Sequence, residues 1–212
     1  MRINLSKIKL VYFDFNFWRI DILRLSLAYA GIDYEFERIP REDWTKFKNK
    51  HPFGQLPIMY YEDNVFCHTH SLAIFCASRS NLYSSDEKKQ IVINQVIDWA
   101  NEITYRIAHS IREKNPEKSK KLRKIFIEKD FYTWFEYLNK FFKKNSSNSF
   151  FIGKLSIADI TAWRVIRWFL SGNLEQIDTK FIERFDGLKD FYEKFSSNEK
   201  IKNLQEFKEI MN

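Results

Sequence analysis

Residues 8–39 read IKLVYFDFNFWRIDILRLSLAYAGIDYEFERI, and the change of period inside this stretch decides the fold. Ile8 to Phe13 is β-branched and aromatic, which predicts a buried strand. From Ile20 to Ala30 apolar side chains recur at helical spacing, and Gly31 closes that helix as a C-cap. Tyr34 to Ile39 predicts a second strand, and Pro40 leads into a short polar helix over Glu42 to Lys48. Further along, residues 51–69 read HPFGQLPIMYYEDNVFCHT. Here Gly54 and Pro57 precede a strand at Ile58 to Tyr61, a turn at Glu62 to Asn64 and a partner strand at Val65 to Cys67. A helix over Ser71 to Ala77 completes a β-α-β-(α)-β-β unit, so residues 1–79 are expected to form an α/β domain.

Residues 80–86 are read as a linker, because beyond them the character changes. Amphipathic helical patterns take over at Glu87–Arg112, Glu117–Lys144, Ile157–Leu170, Gly187–Phe195 and Asn198–Ile210. Residues 87–212 are therefore expected to be all-helical. Ser156-Ile157-Ala158-Asp159 opens the third of these helices with a hydroxyl and, three residues on, a carboxylate able to reach back to free backbone N–H groups.

Composition bounds the possibilities. The chain has 212 residues, 44% hydrophobic and 17% aromatic, enough to build cores and to argue against disorder. Its mean hydropathy of −0.46, without an apolar run of about 20 residues, predicts no membrane span. Residues 1–13 mix charge into a short apolar stretch without a small-residue cleavage site, so no secretory signal is expected and the cytosol is the default location. Cys67 and Cys76 are too few for a disulfide framework and are expected to be reduced. Lys plus Arg number 35 against 28 Asp plus Glu, a net charge of +7. The basic run at Lys118–Lys124 is interrupted by acids such as Glu113, Glu117 and Glu128, so no nucleic-acid partner is expected.

The segments KLVYF, LRLSLAYAGIDYEFERI, REDW followed by FKNKHPFGQLPI, and LSIADI, in this order and spacing, resemble the cytosolic glutathione transferases. The similarity covers nearly the whole chain and is greatest to the sigma class, which includes invertebrate transferases and haematopoietic prostaglandin D synthase. It implies a thioredoxin-like α/β N-terminal domain, an all-helical C-terminal domain, glutathione as co-substrate, no metal, and a homodimer. Detoxification by conjugation is the implied role.

The resemblance also assigns residues. Tyr12 aligns with the family's catalytic tyrosine; taken alone it reads as a buried strand tyrosine, and its place in the whole pattern reverses that reading. A thiol with a pKa near ~8.5 is mostly protonated at neutral pH, and a hydrogen-bond donor beside it favours the nucleophilic thiolate. Tyr, with a pKa of about 10, stays protonated and donates. Arg19 matches the arginine that supports tyrosine and thiolate, although the run Phe17 to Asp21 is one residue longer than in many relatives and lacks their glycine. Trp44 and Lys48 match the pair that holds the glycyl carboxylate. Gln55-Leu56-Pro57 corresponds to the turn in which a cis-proline exposes the preceding backbone to the cysteinyl part. His68-Thr69 replaces the family's Gln-Ser pair at a helix start, where N–H groups and the helix dipole favour a carboxylate. Asn101 or Glu102, with Asp98 one turn earlier, falls where the family presents an acid to the γ-glutamyl amino group across a dimer. Phe15, Phe17, Tyr105, Arg106 and His109 are the expected contacts of a hydrophobic electrophile. The sequence of Cys67 to His70 suggests a metal ligand set only superficially, since no second cluster accompanies it. A non-catalytic scaffold on the same fold and a prostaglandin D synthase-like isomerase are the alternative functions.

Overall fold

The structure, a computed structural model, describes residues 7–211. The first six positions of the expected first domain, and with them the start of the stretch read as lacking a leader, lie outside the described residues. The chain divides into two units, Met1–Tyr83 with Glu199–Asn212, and Ser84–Asn198. The division after Tyr83 falls inside the expected linker.

In the first unit the elements run β1 (Ile8–Phe13), α1 (Trp18–Tyr29), β2 (Tyr34–Ile39), α2 (Trp44–Phe47), β3 (Ile58–Tyr61), β4 (Asn64–Cys67) and α3 (Thr69–Arg79). Among the described residues the strands form one sheet in the order β2-β1-β3-β4. β1 is parallel to β2, with Tyr12 opposite Arg38, and antiparallel to β3. That is the thioredoxin-like arrangement expected. Helix α1 starts at Trp18, two residues before the periodic stretch, because Trp18 is itself fully buried with Ile20, Ile22 and Leu23. It ends at Tyr29 with Ala30 as its C-cap; Gly31, expected to be the cap, follows it with a φ of +66° that a residue lacking Cβ reaches without strain. The β3–β4 turn uses Glu62 and Asp63 at φ 48° and 61°, the sense that suits a two-residue hairpin. Asn64, expected in the turn, instead pairs with Tyr61 as the first residue of β4. The helix expected over Glu42–Lys48 is one α-turn, α2, between 3₁₀ turns at Arg41–Asp43 and Lys48–Lys50. None of these residues is buried, so no packed face extends the helix.

The second unit holds α4 (Glu87–Arg112), α5 (Pro116–Phe126), α6 (Tyr132–Asn145), α7 (Ile157–Phe169) and α8 (Asp186–Ser196). Asp86 caps α4 by accepting from the Lys89 N–H at 3.0 Å, and Asn115 caps α5 by accepting from the Lys118 N–H at 3.0 Å. The single helix expected over Glu117–Lys144 is α5 and α6 joined by a π turn, Ile127–Phe131. The extra residue per turn brings Phe126, Phe131 and Phe135 inward together, all buried and in contact with Phe169. Burial of each such side chain stabilises by about 1.5–3 kcal/mol. At the start of α7, Asp159 accepts from the Ser156 N–H at 2.8 Å, the Ser156 hydroxyl at 2.6 Å and the Phe151 N–H at 2.9 Å. The capping box read from the sequence is therefore present and also ties down the preceding loop. Burial pushes the Asp159 carboxyl up to about 7, against the opposing pull of these donors.

Residues 199–212 are a correction to the expected division, which placed all of 87–212 in the helical domain. They form α9 (Glu199–Lys202) and α10 (Gln205–Met211) and belong with the first unit. The expected single helix Asn198–Ile210 is broken between them. The reason for the return is chemical: Tyr34 donates to Glu206 at 2.5 Å, and Arg24 pairs with Glu209 at 2.6 Å. Arg24 is 5% exposed, and a cation at that depth requires an acidic partner.

Candidate functional site

The fold places the expected site residues of the first unit at the end of β1, the start of α1, around α2, before β3 and at the junction of β4 with α3. Tyr12 is the penultimate residue of β1 and is buried at 4% exposure. Its ring lies edge-on to Phe13 and Phe15, with centroids at 5.4 and 6.0 Å, and parallel to Phe17 at 6.5 Å. Phe15 and Phe17, expected as substrate contacts, thus surround the tyrosine. They come from the loop Asp14–Phe17, which is fixed at its start by the Asp14 N–H donating to the Ile39 carbonyl at 3.1 Å.

Arg19, in the first turn of α1, donates to the Thr69 hydroxyl at 3.4 Å, and its guanidinium lies 4.7 Å from the Trp18 ring centroid. Thr69 is the buried first residue of α3. The arginine expected beside tyrosine and thiolate is therefore in contact with the residue expected to hold the γ-glutamyl carboxylate. At the other end, Phe13 meets Trp44 edge-on at 6.1 Å, and Trp44 stacks parallel to His51, 5° between planes at 6.1 Å. Lys48 is exposed, and its backbone N–H donates to the Trp44 carbonyl. The i,i+4 relation of Trp44 and Lys48 thus holds even though α2 is a single turn.

The Leu56–Pro57 peptide is cis, as the resemblance implied. Leu56 packs against a cluster of Val11, Ile39 and Ile58 while Gln55 is exposed. His68 precedes α3 with φ 71° and ψ 115°, a conformation that costs a non-glycine residue about 1–3 kcal/mol and concentrates at functional sites. Its ring lies 4.5 Å from that of Phe53, which is 73% exposed. Behind them is a hollow of about 440 Å³ lined in part by Phe53, Phe66, His68 and Phe75. His51, Phe53 and Asn16 were not among the expected residues; their partners lie outside their own sequence neighbourhoods.

The remaining expected residues stand on α4 of the second unit. Asn101 is half-buried, and Glu102, Tyr105 and His109 are exposed. Arg106 is engaged within its own unit, paired with Asp130 of the π turn at 2.5 Å and lying 4.5 Å over the Trp134 ring. On α5, Lys118, Lys120 and Lys124 pair with Glu113, Glu117 and Glu128. Among the described residues no group of three His, Cys, Asp or Glu side chains is arranged to hold a metal ion. No helix among them is long and apolar enough to cross a membrane.

Comparison with known proteins gives consistent matches. The glutathione S-transferase N-terminal domain family matches residues 8–76, and the glutathione S-transferase C-terminal domain family matches residues 101–206. A probable glutathione S-transferase 7 of Caenorhabditis elegans is 36% identical over 78 residues, 37% of this chain and 38% of that protein. The matched stretch thus spans well under half the length of that relative. A glutathione S-transferase of Anopheles gambiae is 23% identical over 184 residues, 85% of this chain and 86% of its own. The solved structure of prostaglandin synthase D of Nilaparvata lugens superposes with a TM-score of 0.80 at 26% identity, covering 92% of this chain and 95% of that one.

Proposed function

The chain belongs to the glutathione S-transferase family of enzymes, and from that premise we propose that it binds glutathione on its first unit and conjugates it to hydrophobic electrophiles. The observation that carries this reading is the linkage of Thr69, through Arg19 and Trp18, to the aromatic cluster around Tyr12 and on through Phe13 to Trp44. A tripeptide with a carboxylate at each end suits such a row. Thr69, the N-terminus of α3 and the Arg19 charge receive the γ-glutamyl carboxylate. Gln55 lies on the way to Leu56, whose backbone pairs with the cysteinyl part. The Trp44 N–H and Lys48 ammonium receive the glycyl carboxylate.

The chemistry then follows from Tyr12. The thiol releases its proton to solvent and the Tyr12 hydroxyl donates to the sulfur, which lowers the thiol pKa and raises the thiolate fraction. The sulfur attacks the electrophilic carbon, a C–S bond forms, and with an aromatic halide the halide leaves. Aromatic walls from Phe15 and Phe17 hold the apolar electrophile. Glu102 supplies the carboxylate for the γ-glutamyl ammonium from a partner copy, or Asn101 accepts from it through its amide oxygen. A cytosolic homodimer with a role in detoxification, without nucleic-acid partners, is part of the same reading; exposed Phe53 and Phe66 are apolar surface that a second copy would cover.

Calorimetry with glutathione and turnover of an aromatic halide test it. Tyr12→Phe is expected to retain binding and to lose about 10²-fold in kcat, the scale of one donor at a developing anion. Loss of binding without a selective loss of kcat would refute the role given to Tyr12. A second reading, a glutathione-dependent isomerase, is favoured by the likeness to the Nilaparvata lugens protein. It predicts glutathione binding without halide turnover.

A further inference from the structure

The loop between β1 and α1 carries the aromatic residues that flank Tyr12, yet it has no glycine, no proline and no side-chain cap at Phe17. Its middle residue, Asn16, is held from outside. The Asn16 amide donates to the Glu209 carbonyl of α10 at 2.9 Å and accepts from the Arg38 guanidinium of β2 at 2.9 Å. The Glu209 carboxylate in turn lies 2.6 Å from Arg24 and 3.9 Å from Arg38. Both guanidiniums flank the Phe36 ring, at 4.5 and 4.8 Å from its centroid, so Arg24, Phe36 and Arg38 form a stacked platform on which Glu209 is seated. Through one residue of α10, side-chain carboxylate to the platform and main-chain carbonyl to the loop, the position of Asn16 is tied to the sheet and to α1.

We propose that α10 braces the catalytic loop, with Asn16 and Glu209 as positioning residues that fix Phe15 and Phe17 about the Tyr12 ring. The proposal rests on the assignment of Tyr12 as the donor to the glutathione sulfur. Asn16 stands between Phe15 and Phe17, whose rings pack on that of Tyr12, so its effect is transmitted through the loop. The four-residue loop Asp14–Phe17 has several ways to close between β1 and α1; the two amide bonds of Asn16 select one.

The test uses the full chain with Asn16→Ala, Asn16→Asp and Glu209→Gln. Asn16→Asp keeps an acceptor for Arg38, now charged, and removes the donor to Glu209, so the loss it shares with Asn16→Ala is the contact with α10. Hydrogen exchange followed by mass spectrometry, without glutathione, is expected to show peptides covering residues 13–19 exchanging about five-fold faster in each variant, the scale of one lost hydrogen bond. Peptides from residues 84–198 should be unchanged. With glutathione, thiolate absorbance against pH is expected to show a raised thiol pKa in the variants, with kcat lowered and KM for glutathione within about two-fold. Unchanged loop exchange in Asn16→Ala and Asn16→Asp would overturn the brace whatever Glu209→Gln does to folding. Faster exchange with an unmoved thiol pKa would overturn the link to catalysis. If the natural chain binds no glutathione, the assignment of Tyr12 fails and takes the catalytic half of the proposal with it, while the exchange arm still decides whether α10 holds the loop.

Discussion

At Trp44 the indole ring packs edge-on to Phe13 and flat to His51, which leaves its single N–H to act as a donor without loosening the ring. Trp44→Phe preserves the packing and deletes the donor, so glutathione affinity should fall about 10-fold or more by calorimetry, as for loss of a hydrogen bond to a charged group. The two cysteines offer a contrasting test. Burial pushes the Cys76 thiol up to about 12 and raises that of Cys67 as well. Neither should react with an aromatic disulfide reagent at pH 8 within minutes, whereas both should react once the chain is unfolded. A candidate site could be proposed at this scale, because Tyr12, Trp44, Pro57 and Thr69 are residue types whose chemistry, order and spacing constrain one another. Asn16 and Glu209 were not. They meet across 193 positions of sequence, and an asparagine in a short loop carries no mark of a partner so distant.

Among the elements, the best-read was the start of α7, where a hydroxyl and a carboxylate three apart act on backbone groups within a single turn. Full burial gives Asp159 a pH dependence of unusual sign. Its folded pKa, about 7, lies above the unfolded value near ~3.9, so the folded chain binds the proton more tightly. Its contribution is complete below the unfolded value and is lost as pH rises through the folded one. Urea midpoints should therefore show Asp159 outperforming Asp159→Asn by more at pH 4.5 than at pH 7.5. The opposite trend would mean that its three donors outweigh burial. The π turn was illegible because apolar residues continue at near-helical spacing on both sides of it, and one inserted residue shifts that phase too little to notice. The short α2 was over-read as a longer helix for a related reason: Glu42, Lys46 and Lys48 favour a helix until the absence of a buried face removes the support.

For the molecule as a whole, both architectural halves were legible, since the period of two gives way to the period of 3.6 near Ser84. What the pattern did not disclose is that the α/β unit is discontinuous. An amphipathic helix at residues 205–211 reads the same whichever unit it packs against; only the pairing with Arg24 and Tyr34 decides. Residues 84–198 expressed alone, with their own aromatic core, should keep helical circular dichroism and a cooperative melt. Residues 1–83 alone should not, and a peptide of residues 199–212 added in trans should restore part of the transition. Were 1–83 to melt as sharply without the peptide, the return of the chain would be incidental to that unit's stability.

That discontinuity has a temporal side. A ribosome adds about 5–20 residues per second from the N-terminus, so the segment bearing Glu206 and Glu209 is made after the whole of the helical unit. During that interval the sheet has been synthesised but its buried arginine lacks its closest acidic partner. The later-made unit is thereby free to finish first, reversing the order in which the two were begun. A message cut short before residue 199 would yield a product carrying a complete helical half beside an α/β half whose buried Arg24 keeps only Asp21, at 3.9 Å, as an acidic partner, a difference that cellular quality control is equipped to detect.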